Sequence, residues 1–151
     1  SRLKAIFEGL SKVAKEIPIV LPLHPRTRAA LMRSGLYEAF AQSMLVIPPV
    51  GYLDMVSLEK NACLIATDSG GVQKEAYFYE VPCVTLRRET EWVELVEGGW
   101  NFLVEPSQPD RIAAKILSLV NHKGNVGLNL YGQGVAAIRT LNSLIILRAL
   151  N

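Results

Sequence analysis

At 151 residues, half of them apolar, the chain is long enough to bury a core of its own and too apolar to be an intrinsically disordered segment. Its 16 basic and 14 acidic residues leave a formal charge of +2 and are scattered rather than blocked, which argues against a nucleic-acid or membrane surface built on charge. No apolar run approaches the roughly 20 residues that span a bilayer; SLIIL, the longest candidate, meets Arg148 at once.

Leu3, Ile6, Phe7, Leu10 and Val13 recur at helical spacing, and the β-branched run IPIVLPL (17–23) follows as a strand before His24 and Pro25. Thr27 caps a second predicted helix that runs through Leu31 and stops at Gly35; MLVIPP (44–49) is the next strand. A third cycle pairs helix YLDMVSLEKNA (52–62) with strand CLIAT (63–67), a fourth helix VQKEAYFYE (72–80) with strand PCVTL (82–86), and a fifth helix EWVELVE (91–97) with strand NFLV (101–104). Pro109 suits the first turn of helix DRIAAKILSLV (110–120), NHKGNVGLNLYGQG (121–134) is a polar glycine-rich loop, and a last helix runs from about Val135 to Leu150.

Cys63 and Cys83 fall in apolar runs and are expected as reduced core residues, which suits a reducing cytoplasm. The opening SRLKAIFEGL lacks the pattern of a secretory leader, and a start at Ser1 rather than Met leads us to expect that an upstream part is missing.

Strands separated by helices of this size imply parallel pairing through helical crossovers, and near-continuous apolar strands imply helices on both faces. The expected fold is α/β: a doubly wound, Rossmann-like parallel sheet forming one layer. In such sheets ligands bind beyond the carboxyl ends of the strands, which selects HPRTR, PPVGY, TDSGG and LRRETEW as one rim. At TDSGG the strand ends at Thr67, Gly70 and Gly71 allow a close approach, and the helix expected near Val72 directs unpaired N–H groups and its positive dipole end at the same spot. A phosphate or diphosphate fits there. Ser69 adds a hydroxyl donor, and Glu75 is placed to accept from a pair of sugar hydroxyls. Taken singly, each feature has a plainer reading: Ser-Gly-Gly as a capped tight turn, His24 as a hydrogen-bonded loop residue, Met55 and Tyr52 as helix core, Trp92 and Trp100 as packing anchors, and Arg26, Arg28, Arg87 and Arg88 as solvated charges. Their coincidence on one rim favours the anion.

LPLHPRTR, PPVGYLDMVSLEKNA, TDSGGVQKEAYFYEVPCVTL, ETEWVELVEGGWN and the closing YGQG together resemble the non-hydrolysing UDP-N-acetylglucosamine 2-epimerases, in order and over nearly the whole chain. The resemblance implies that residues 1–151 are the second, UDP-binding domain of a glycosyltransferase-B type fold, with the N-terminal domain absent. It further implies that Ser69, Gly70 and Gly71 take the diphosphate, Glu75 the ribose, and Val50 and Met55 the uracil, with His24 facing the same cleft and no catalytic role carried onto it. The family's reaction removes the C2 proton, expels UDP to leave a 2-acetamidoglucal and adds UDP back with inverted configuration, serving polysaccharide biosynthesis without metal, nicotinamide or other cofactor. Its acid and base lie largely on the first domain, after a His-Arg-x-Glu-Asn motif that would stand before Ser1, so this chain is expected to hold a UDP-sugar but not to epimerise it alone. The partners implied are a UDP-sugar and either the missing domain or a second copy of the chain, with no nucleic acid and no membrane.

Three positions depart from the family pattern: Trp92 stands where an arginine that contacts substrate is frequent, Arg88 where an acid is usual, and Phe102 where an arginine commonly follows the Asn. ETEWVE resembles the subgroup acting on UDP-2,3-diacetamido-2,3-dideoxyglucuronate, whose added carboxylate would suit Arg87 or Arg88. The alternatives from other classes are the nucleotide-binding half of a glycosyltransferase and an inactive UDP-sugar-binding remnant.

Overall fold

The structure, a computed structural model, describes residues 2–132 and 134–149; Gln133 of the closing YGQG and Leu150 of the last predicted helix lie outside the described residues, as do Ser1 and Asn151. In chain order it contains α1 (Arg2–Val13), β1 (Val20–Pro22), α2 (Pro25–Arg33), α3 (Tyr37–Ala41), β2 (Leu45–Ile47), α4 (Tyr52–Lys60), β3 (Ile65–Thr67), α5 (Gly70–Phe78), β4 (Cys83–Thr85), α6 (Val93–Glu97), β5 (Asn101–Leu103), α7 (Pro109–Leu119) and α8 (Ala136–Ala149). Each of the five apolar runs holds a strand, and every pairing is parallel.

The expected single sheet is hydrogen-bonded in two pieces, β1-β2 and β3-β4-β5. Pro22 is the last residue of β1, and Pro18, Pro48 and Pro49 flank the first pair; all four lack the donors that would lengthen its ladder. One core nevertheless serves both pieces. Phe7, Leu10, Val13, Leu23, Leu31, Phe40, Val84, Val104, Ile112 and Ile116 form a continuous buried cluster against which Leu21, Val46 and Phe102 pack. Much of this cluster comes from α1 and α7, which cross where Gly9 brings the backbones together: a Cβ built on Gly9 would stand 2.9 Å from Ile112 Cβ. Lys12 and Asp110 pair across the same crossing.

Several local expectations are corrected. His24, not Thr27, caps α2: Pro25 takes the first helical position and favours extended backbone in the residue before it, so His24 sits at φ −60, ψ 139 and its side chain accepts from Arg26 N. Helix α3 was not predicted, being a five-residue piece too short to show a period. Helix α5 begins at Gly70, two residues before Val72, because Ser69 is the last extended residue (φ −84, ψ 128). Cys83 is buried as expected, and burial pushes its thiol up to about 12. Cys63 is exposed instead, since it sits in the bend ahead of β3 rather than in the strand. Among the described residues no helix is long and apolar enough to cross a membrane.

Candidate functional site

Register places the ends of the second sheet level: Thr67 pairs with Thr85 and Thr85 with Leu103. The loops that follow β3, β4 and β5 therefore leave one edge, and α5 starts directly above it. Ser69 caps α5 with its backbone but makes no side-chain bond to the first turn, so that turn's N–H groups receive no help from the cap hydroxyl. Ser69 N is itself tied back to Thr67 Oγ1 at 3.0 Å, which fixes the exit from the strand.

Beneath this turn lies a buried polar network with no signature in the local sequence pattern. Gln73, 1% exposed, accepts at Oε1 from Thr90 Oγ1 (2.6 Å) and from Asn101 Nδ2 (2.8 Å), while Asn101 Oδ1 accepts from Thr85 Oγ1 (2.7 Å). Gln73 Nε2 donates to Ser69 O at 3.3 Å. Side chains from α5, β4, β5 and the loop after β4 are thus locked into one unit, each with a partner, as burial demands. A helical period marks residue 73 only as a polar position; its Oε1 is satisfied by residues 17 and 28 positions away in the chain.

The loop after β4 then wraps the start of α5. Trp92 Nε1 donates to Gly70 O at 2.9 Å, Trp92 N donates to Thr90 Oγ1 at 3.1 Å, and the Lys74 ammonium lies 3.5 Å from the centre of the Trp92 ring. Trp92 therefore forms one wall of the turn. Glu91 overhangs Gly70 so closely that a Cβ there would overlap Glu91 Oε1, and the other carboxylate oxygen accepts from Arg87 Nη1 at 3.1 Å. Arg88 turns away to Glu105, donating from both Nε and Nη2. That bond holds the Glu105 carboxyl below the usual carboxylate range.

The structure thus brings together Ser69, Gly70, Gly71, Arg87 and Trp92 of the sequence candidates. Val50 and Met55 lie half-buried at the start of α4, whose Gly51 cap accepts from Met55 N at 2.9 Å. Glu75 is half-buried on α5, which packs on α4. His24 is exposed, and its Nδ1 accepts from Arg26 N at 3.2 Å, a local bond that ties it to its own loop.

Sequence reasoning passed over Glu59. It is 3% exposed on α4, neither carboxylate oxygen has a hydrogen-bond partner among the described residues, and burial, with the charge of Glu75 adding, raises its pKa to about 7. A cavity of about 210 Å³ lies away from the rim, between Tyr77, Phe78, Trp100 and the 125–132 loop. The start of α5 is walled by Trp92 and overhung at Gly70 by Glu91, while the Gly71 side stays clear.

The sequence model of the UDP-N-acetylglucosamine 2-epimerase family matches residues 1–145. The chain is 47% identical over 128 residues to a UDP-N-acetylglucosamine 2-epimerase homologue of Methanococcus maripaludis, covering 83% of this chain and 35% of that protein. It is 46% identical over 139 residues to UDP-2,3-diacetamido-2,3-dideoxy-D-glucuronate 2-epimerase of Pseudomonas aeruginosa, covering 91% of this chain and 38% of that one. The crystal structure of Methanocaldococcus jannaschii UDP-GlcNAc 2-epimerase in complex with UDP-GlcNAc and UDP superposes with a TM-score of 0.82 at 38% identity, over 96% of this chain and 41% of that one. The chain therefore spans about two fifths of the length of these relatives. A family match over nearly every residue, joined to the same parallel α/β, Rossmann-like fold, makes this chain a member of the UDP-N-acetylglucosamine 2-epimerase family.

Proposed function

We propose that this chain is the UDP-holding C-terminal domain of a cytoplasmic nucleotide-sugar 2-epimerase, acting on UDP-N-acetylglucosamine. In this reading the first-turn amides of α5 and the Ser69 hydroxyl take the diphosphate, Glu75 takes the ribose hydroxyls, and Val50 and Met55 border the uracil. The observation that carries it is the start of α5: a helix N-terminus above level strand ends, with no side-chain cap and a glycine at each of its first two positions. Expelling UDP puts charge on the β-phosphate, and a dipole already in place stabilises that charge without reorganisation. The protons must be moved by groups outside this face, which fits a chain spanning two fifths of its relatives. The exposed Ile138, Leu141 and Ile145 of α8 are the apolar surface that a first domain, or a second copy of the chain, would cover. A second reading, UDP-2,3-diacetamido-2,3-dideoxyglucuronate as substrate, draws on the Pseudomonas relative and on Arg87 beside the turn.

Calorimetry with UDP, paired with a turnover assay on both UDP-sugars, tests the proposal. UDP is expected to bind, Glu75→Gln to weaken it by about tenfold through loss of charge-assisted bonds, and the chain alone to epimerise neither sugar. Turnover by this chain alone, or full affinity in Glu75→Gln, would contradict it.

A further inference from the structure

The carboxylate of Glu91 lies against Gly70, in the first turn of α5. Its backbone is pinned on both sides: Thr90 is bonded to buried Gln73, and Trp92 to Gly70 O. With residue 91 held between those anchors, its side chain lies across the first turn of α5, over a Gly70 whose lack of a Cβ is what admits it. A carboxylate there is favoured by the helix dipole and by Arg87, the same two features that would favour a phosphate.

The two arginines of this loop differ in how firmly they are held. Arg88 makes a two-nitrogen contact with Glu105 on the segment after β5. Arg87 makes a single bond to Glu91, with the two side chains 36% and 45% exposed. An exposed pair of that kind contributes little and is readily exchanged for a partner of higher charge.

Resting on the nucleotide reading above, we propose that Glu91 is a stand-in anion. Its carboxylate lies against Gly70 and holds Arg87; a diphosphate arriving at the first turn of α5 displaces the carboxylate and takes over Arg87. Glu91 then acts against diphosphate binding, and Arg87, not Arg88, is the arginine that reads the anion. A carboxylate left in place would put two anions beside one helix start and one arginine, so the side chain must rotate outward while the anchored loop stays.

The test compares the wild-type chain with Glu91→Gln, Arg87→Gln and Glu89→Gln, titrated with UDP, inorganic pyrophosphate and uridine. Glu91→Gln is expected to tighten UDP and pyrophosphate by about three- to tenfold, the scale of a charge at a helix terminus, and to leave uridine unchanged. Arg87→Gln should weaken both phosphate ligands. Glu89→Gln removes the same charge two residues away and should change neither. Equal gains from Glu89→Gln and Glu91→Gln, or unchanged or weaker pyrophosphate binding in Glu91→Gln, would overturn the inference. If pyrophosphate tightens in Glu91→Gln while UDP binds no better than pyrophosphate does, the inference stands and the nucleotide reading falls.

Discussion

Replacing Gly71 with leucine is expected to cut UDP affinity by about 100-fold, roughly 2.7 kcal/mol, while leaving the chain at least as stable as before. The stability half follows from the free space: a Cβ built on Gly71 meets only Ser69 Oγ, at 3.9 Å, so the position admits a side chain without a clash at its first atom. Gly71 is helical, and exchanging glycine for leucine there gains up to about 1 kcal/mol of helix propensity. The binding half follows from the same geometry. The space left open by that missing Cβ is the approach to the first-turn amides, and a leucine side chain standing there keeps the phosphate from its donors, each bond to a charged group being worth about 1.5–3 kcal/mol. Thermal denaturation and calorimetry on the same preparation separate the two effects. Lost stability would mean that the turn is packed more tightly than its geometry indicates; unchanged affinity would mean that the anion does not sit there.

Stability should fall as pH rises from about 4.5 to about 7, and Glu59→Gln should remove that fall. The Glu59 carboxyl is raised from 4.5 to about 7 in the folded chain because burial disfavours its charged form, with Glu75 adding to the effect. Below about 4.5 both the folded and the unfolded chain hold the proton, and the contribution is fully present. Between the two values the unfolded chain releases its proton while the folded chain keeps it, so stability declines, and above about 7 the loss is complete. A shift of this size corresponds to about 3 kcal/mol. Urea denaturation at pH 5 and pH 8 measures the difference between wild type and Glu59→Gln. An identical pH slope in the two proteins would show that Glu59 ionises freely in the folded state.

What the sequence made legible was whatever depends on local pattern. The five strands follow from their β-branched runs, and the start of α7 from Pro109. α5 begins two residues before the sequence pattern places it, because a glycine pair reads as a turn by propensity although the first helical turn tolerates it. Residues whose roles are set by distant partners left no such trace. Gln73 reads as a surface polar residue until Thr90 and Asn101 close around it. Glu59 reads as a solvated helix charge until α5 covers it, and Glu91 as the first acid of a helix that in fact starts at Val93, after Trp92 has anchored the segment to Gly70. The candidate diphosphate turn was visible because its glycines are adjacent in the chain; the wall around it was not, because that wall comes from residues about 20 positions later.

The most direct test of the central claim is a pair of titrations that follow the backbone amide resonances of Gly70, Gly71 and Val72, one with UDP and one with uridine. These resonances are expected to move on saturation with UDP and to stay in place with uridine, since only the diphosphate accepts from the first turn of α5. Tight UDP binding that leaves all three unmoved would contradict the account.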